Sequence, residues 1–411
     1  MSTTVDVELA DVAHGGYCVG REPSGRAVFV RFGLPGERVR VVLTKEKKKL
    51  AMGDAVEVLD KPSEHRVPLR WPAAGPLGVG GADLGHVAFD YQSTWKTHVL
   101  RQAIRRVGGE ALERHITDAG IEPTVEALLS DRPTQGWENR TRFECVIDDH
   151  GKPAMYREGS HELVAISEMP LAVPEAAELD VFGGAWRNTW HSGERIRAVV
   201  PSGSDPVLVI EKQVFAFPGI PADQFVREDV VIGHELYTYR VHAAGFWQVH
   251  RDAAAQLTRL VLNAAQVEPG DAVVEFYSGA GLLSQPLALA TGAKGTLRTF
   301  EGVLLAVEDA RANLREFPWV TTRTSAVTPQ LIEWEPGDVV VADPPRAGLG
   351  QERAAALAAS PARRIVLISC DPAAMARDAA TMVAAGRTIR SMRSIDMFPN
   401  THHFEIITAL S

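Results

Sequence analysis

Short β-branched runs alternate with glycine turns over residues 5–8, 27–32, 38–43 and 55–59. Strand-length runs bounded by turns predict a small all-β barrel over residues 1–60. Pro62 and the Pro/Gly-rich stretch 71–81 then break all periodicity, which marks a domain junction. From Tyr91 to about Val107 apolar residues recur at helical spacing, with Lys96, Arg101, Arg105 and Arg106 interspersed, so a helix with an exposed face is expected. Residues 137–235 alternate strand-like runs with polar turns and predict a β-rich middle domain.

After Gly245 the pattern changes. A helix is expected over 251–265, a strand over 271–276 ending in a glycine turn, a helix over 282–289, and strands near 297–300, 339–342 and 365–369. Helix and strand in alternation predict a doubly wound parallel α/β sheet of Rossmann type. Two last β runs, 391–396 and 403–410, are joined by a turn with Pro399 and Asn400 and are expected to pair antiparallel.

At 411 residues the chain is long enough for two or three domains. It contains no apolar run of membrane-spanning length and no basic-then-apolar leader, so a cytoplasmic protein without a membrane partner is expected. Cys18, Cys145 and Cys370 are widely separated, which gives neither a disulfide framework nor a metal site by spacing. The formal charge of -9 excludes a protein basic over its whole surface. One stretch runs the other way: Arg26, Arg31, Arg38, Arg40, Lys45, Lys47, Lys48 and Lys49 face only Glu37 and Glu46. This is either a solvated Lys/Glu surface or a local RNA-binding face.

Glu275, Phe276, Tyr277, Ser278, Gly279, Ala280 and Gly281 end a strand and enter a helix, where glycine lets a ligand approach the backbone. Twenty residues past Gly281, Glu301 ends the next strand, positioned to accept hydrogen bonds from ribose hydroxyls. The spacing fits a nicotinamide cofactor or S-adenosylmethionine, although Ser284 stands where the dinucleotide fingerprint has its third glycine. Asp343, followed by Pro344 and Pro345, makes a rigid acidic shelf at the carboxyl edge of the sheet, and Arg346 follows it.

Cys370 closes the strand 364–369 and precedes Asp371 and Pro372. A free thiol is commonly a core residue. This one lies past the apolar run, where Arg346 and Arg377 offer cationic charge to a thiolate. Glu405 follows His402, His403 and Phe404. Either Glu405 or His403 has the chemistry of a general base, while His402 and His403, adjacent on a strand, point to opposite sides and do not form a joint metal site.

These residues closely resemble the RNA 5-methyluridine methyltransferase family that carries an N-terminal TRAM domain. The resemblance covers nearly the whole chain: the barrel, the entry Gly245, Phe246, Trp247, Gln248, Val249 and His250, the glycine turn, the acidic shelf, Ser-Cys-x-Pro around Cys370, and Phe-Pro-x-Thr-x-His-x-Glu ending at Glu405. It implies that Gln248, Tyr277, Gly279, Gly281, Glu301 and Asp343 contact S-adenosylmethionine, that Cys370 is the nucleophile and that Glu405 is the base. It also implies that residues 91–124 join 236–411 in the methyltransferase domain, leaving 61–90 and 125–235 to the middle domain.

Some members hold an iron–sulfur cluster; here Trp71, Val79, Ala82 and Met169 stand near the cysteine positions, so no cluster is expected. Leu282 replaces a frequent asparagine, and Asp371 another beside the nucleophile.

The implied reaction is methylation of uracil C5 in a loop or bulge of ribosomal or transfer RNA through a Cys370–C6 adduct. Trp247 or Phe398 would either stack on bases or pack in the core, and Arg346 and the basic barrel residues would contact RNA. One chain carries a complete site, so a monomer is expected. A cytosine-5 methyltransferase and a non-catalytic RNA-binding protein are the competing readings.

Overall fold

The structure is a computed structural model that describes residues 3–22, 24–132, 134–186 and 189–411. Strands β1 (Thr4–Ala13), β2 (Tyr17–Arg21), β3 (Ala27–Arg31), β4 (Arg38–Glu46) and β5 (Leu50–Asp60) close a barrel in the order β1-β2-β3-β5-β4. Alternate side chains fill its interior, among them Val7, Leu9, Val28, Val30, Val39 and Val41. β2 escaped the sequence reading: at five residues, with Gly20 inside it, the run has little apolar period to show.

The junction leads into α1 (Phe89–Ala103), a π turn, α2 (Gly109–Asp118) and β6 (Val125–Ala127). The middle sheet holds β7 (Arg142–Ile147), β8 (Pro153–Tyr156), β9 (Leu163–Ala165), β10 (Arg195–Val199), β11 (Val207–Ile210), β12 (Gln213–Ala216) and β13 (Ile220–Pro221). Trp71, Val79, Ala82 and Met169 are buried together in its apolar core. A separate hairpin, β14 (Phe225–Ile232) with β15 (Glu235–His242), packs Val230, Tyr239 and Val241 against Trp247, Ala254 and Ala280.

The C-terminal part runs α3 (Ala253–Ala265), β16 (Ala272–Phe276), α4 (Ser284–Thr291), β17 (Thr296–Glu301), α5 (Leu304–Asn313), β18 (Val320–Thr324), α6 (Pro329–Trp334), β19 (Val339–Ala342), α7 (Gln351–Ala359), β20 (Arg364–Ser369), α8 (Pro372–Ala384), β21 (Ile389–Asp396) and β22 (Glu405–Leu410). Its sheet has the order β18-β17-β16-β19-β20-β22-β21-β6. The central strands β19 and β20 are apolar on both faces, as strands covered by helices on both sides must be. Val273, Leu297, Val339, Val341, Val366 and Ile368 meet α3 and α4. Their neighbours Val274, Phe300, Val340, Ile365 and Leu367 meet residues of α1, α2, α7 and α8.

Two details differ from expectation. β6, read as the start of the middle domain at residue 125, lies parallel to β21 at the edge of the C-terminal sheet. Three residues with one buried side chain carry no periodic signal, and its place is decided by the partner strand. Lys96 belongs not to the exposed face of α1 but to its buried one, with Gln92 one turn before it.

Candidate active site

The chain leaves β16 for β17 and β18 on one side and returns to β19 and β20 on the other, so the order reverses between β16 and β19. Ligands of open α/β sheets bind outside the carboxyl ends of the strands at such a point. Tyr277 and Asp343, the residues following the register pair Phe276 and Ala342, flank that crevice.

The glycine turn is unusual backbone. Tyr277 has φ of 64°, Gly279 of 55° and Gly281 of 92°, values that a non-glycine residue seldom adopts. A Cβ on Gly279 would meet no atom within 4 Å, so open space lies above it. Glu301 is fixed from below: Gly279 N–H donates to its Oε2 at 3.0 Å and Val303 N–H to its Oε1 at 2.8 Å. Ser278 Oγ is buried with no partner in the structure. Ser284, in the third-glycine position, donates its hydroxyl to Glu275 and so ties α4 to β16. Leu282 acts through its carbonyl, which accepts Tyr239 Oη at 2.8 Å. Gln248 is half-buried. Trp247 is buried against Tyr239, which is core packing rather than stacking on a base.

β20 and β22 are antiparallel with Ser369 opposite Ile406. Cys370 follows Ser369 and Glu405 precedes Ile406, so both stand at this end of the strand pair. Cys370 is half-buried, whereas Cys18 and Cys145 are buried. Asp371 caps α8 by accepting Ala374 N–H at 2.8 Å, and Pro372 takes the first helical position.

Burial pushes the Cys370 thiol up to about 12, with Glu405 and Asp343 adding to the rise and Arg346 opposing it. Burial pushes Asp343 up to about 7. Burial and the charge of Asp343 also raise Glu405 well above the ordinary carboxylate range. Buried carboxyls this close resist joint ionisation. Arg377, expected beside the thiol, instead donates to Ala347 O and Asp378 Oδ1. His403 lies against Arg346, with 2.7 Å between Nε2 and Nη2, and burial, His402 and Arg346 lower its pKa to about 3. An imidazole so hard to protonate is a weak base.

The loop from Asp396 to Glu405 is held by residues with no recognisable motif. Lys96 Nζ pairs with Asp396 Oδ1 at 2.6 Å and donates to Phe398 O at 3.2 Å. Gln92 and Asn400 exchange two hydrogen bonds, and Leu84 N–H donates to Asn400 O. Asp83 accepts His402 N–H at 3.0 Å and meets its Nδ1 at 2.7 Å. The sequence reading missed these holders because they lie far from the loop in the chain; the i,i+4 polar pair Gln92 and Lys96 was the one local sign.

Removing one partner of a buried ion pair leaves the other uncompensated, at a cost of about 3–5 kcal/mol. Lys96 is 0 % exposed and Asp396 3 %. Lys96→Ala is therefore expected to cost about that much in urea unfolding, and a loss under about 1 kcal/mol would mean that Asp396 finds water.

On the barrel, Arg31 is bound to Asp54, Arg26 to Glu22 and Glu46, and Arg40 to Asp6 and Glu57. Arg38, Lys45, Lys47, Lys48 and Lys49 are exposed and show no ion pair among the described residues. The four lysines cluster at the β4–β5 hairpin. β4 runs antiparallel to β1 with Val42 opposite Thr4, so this hairpin and the β1–β2 turn lie at opposite ends of the barrel, about 30 Å apart along ten-residue β1.

A family model described as tRNA (Uracil-5-)-methyltransferase matches residues 309–411, and one described as TRAM domain matches residues 2–56. A protein of Bifidobacterium longum named an uncharacterized RNA methyltransferase is 36 % identical, over 98 % of this chain and 95 % of its own. One of the same name from Streptomyces avermitilis is 34 % identical, over 100 % and 98 %. Among solved structures, the Pyrococcus abyssi tRNA (uracil-54, C5)-methyltransferase in complex with S-adenosyl-L-homocysteine superposes with a TM-score of 0.70. It is 20 % identical, covers 98 % of this chain and 99 % of its own, and shares the fold.

Proposed function

Since the chain belongs to the TRAM-domain RNA (uracil-5-)-methyltransferase family, we propose that it methylates C5 of a specific uridine in structured ribosomal or transfer RNA, through a covalent bond between Cys370 and C6. The observation that carries this reading is that the β20–β22 pair ends at Ser369 and Ile406, with Cys370 and Glu405 as the next residues at that end, and that Glu405 and Asp343 both act on the Cys370 thiol.

The crevice fits S-adenosylmethionine. The open space over Gly279, the unpartnered Ser278 hydroxyl and the backbone-anchored Glu301 carboxylate are what a ribose and a backbone-hugging chain require. Tyr277, Gly281, Asp343 and Gln248 complete the holding set. When bound there, the cofactor supplies the methyl group that C5 receives.

Uracil C5 is a poor nucleophile until C6 is attacked. The Cys370 thiol loses its proton to solvent, the thiolate sulfur forms a bond to C6 and the displaced electron pair moves to the C4 oxygen as an enolate, which makes C5 nucleophilic. After C5 is methylated, the Glu405 carboxylate takes the C5 proton, the C5–C6 double bond returns and the sulfur leaves with its bonding pair. The acids have no cationic side chain hydrogen-bonded to them among the described residues, so burial and Asp343 hold Glu405 protonated at rest, and it gives up that proton before it accepts the one from C5. The target base must leave its stack to reach a half-buried thiol, which favours a loop or bulge uridine.

The test is tritium release from transfer and ribosomal RNA transcripts labelled at uracil C5. Release dependent on S-adenosylmethionine supports the reading and its rate names the RNA class; release from neither, with cofactor bound, overturns it. Transfer to cytosine instead would support the cytosine reading.

The lysine hairpin stands far from the chemistry and acts through phosphates. Replacing Lys45, Lys47, Lys48 and Lys49 by alanine is expected to weaken RNA binding about tenfold and to flatten its salt slope by up to about 3, at constant kcat. An unchanged slope in filter binding would assign the hairpin to solvent.

A further inference from the structure

The barrel touches the nucleophile segment directly. His14 sits in the β1–β2 turn, and its Nε2 lies 3.1 Å from Oδ2 of Asp371, the residue following Cys370. Its ring meets that of His402 edge-on at 6.0 Å, and His402 is itself held by Asp83. The turn can come this near because it is nearly bare backbone: Gly16 has φ of +76°, and a Cβ there would stand 2.5 Å from Asp83 Oδ2. One barrel end thus meets both segments of the active site, the Cys370 turn through Asp371 and the Glu405 loop through His402 and Asp83. The lysine hairpin is at the other end.

We propose that His14 is a positioning residue for the nucleophile, acting through Asp371, so that the barrel contributes to the chemical step as well as to RNA affinity. This rests on the methyltransferase reading for its kinetic arm alone. Asp371 has two jobs, capping α8 and pairing with His14. Burial works against its ionisation, but His14 and the N–H groups of Ala374 and Ala373 hold it down at about 2. Without His14 it loses the imidazole contact, and the turn that carries Cys370 is no longer tied to the barrel. Both changes disfavour an oriented thiolate.

Asparagine caps a helix as well as aspartate does, so Asp371→Asn keeps the cap and puts an amide nitrogen in place of the carboxylate oxygen that His14 meets. A double-mutant cycle then measures the His14–carboxylate contact. RNA-free full-length protein, as wild type, His14→Ala, Asp371→Asn and the double variant, is alkylated with iodoacetamide, and modification at Cys370 is followed by peptide mass. Methylation kinetics are measured alongside. His14→Ala is expected to slow alkylation severalfold and to lower kcat on the order of tenfold, with KM for RNA within about twofold. In the Asp371→Asn background the same change should move neither rate by more than about twofold. Should His14→Ala fail to melt cooperatively, His14→Gln, whose amide still donates to Asp371, is expected to keep most of the alkylation rate. Equal effects in both backgrounds, a change in KM alone, or no effect overturns the proposal. Absence of methylation by the wild type sinks the methyltransferase reading instead, and alkylation still decides the role of His14.

Discussion

Replacing Cys370 by alanine is expected to lower methyl transfer on the order of 10⁴-fold or more while RNA affinity stays within about threefold. The loss is of that size because the uncatalysed alternative, direct methylation of uracil C5, has no activated carbon; 10⁴ corresponds to about 5.5 kcal/mol of barrier. The substitution removes one sulfur atom at a half-buried position, so the fold should hold. Measured turnover within about tenfold of wild type would exclude covalent catalysis through this thiol. A loss of RNA binding as large as the loss of turnover would leave the binding-protein reading standing.

The same thiol has a distinctive pH response. Burial, Glu405 and Asp343 raise it to about 12, so in the free protein it is neutral at pH 7 and its thiolate fraction grows about tenfold per pH unit. Alkylation of Cys370 is therefore expected to climb through pH 10, where an ordinary thiol would level off near about 8.5. A plateau below pH 9 would mean that Arg346 dominates over the acids.

The positions of the candidate site residues were legible in the sequence wherever they follow from a strand end. The apolar runs before Gly279, Asp343 and Cys370 announce strands whose carboxyl ends share one edge, and a parallel sheet brings such ends together whatever their distance in the chain. The supporting contacts have no such rule. Lys96 and Asp396 are three hundred residues apart, His14 and Asp371 further still, and each looks like a surface residue until both partners are placed. The barrel's cations show the converse: Arg26, Arg31 and Arg40 belong to a basic stretch read either as a solvated surface or as an RNA face, yet carboxylates of the barrel take them up. Local pattern reports propensity and burial, whereas pairing depends on register.

Glu405→Gln is expected to stall the reaction after methyl transfer, lowering turnover about 10²–10⁴-fold, the range for loss of a general base. Unlike the alanine variant at Cys370, it should accumulate protein covalently joined to RNA, visible as a slow band in denaturing gels, because the sulfur departs only after the C5 proton does. Glutamine keeps the shape of a side chain that is 9 % exposed and whose Oε2 has no partner, and since burial raises the acid's pKa both side chains are neutral at rest, so the melting temperature should change little. His403 is the competing base. Its imidazole binds a proton only near pH 3, far too weakly to hold the one leaving C5 at neutral pH. If Glu405→Gln turned over at near wild-type rate with no adduct, while His403→Gln formed one, the assignment of base would pass to His403. Adduct with Glu405→Gln, and none when Cys370→Ala is added to it, would fix both bonds of the mechanism, since the first variant arrests the step that breaks what the second prevents from forming.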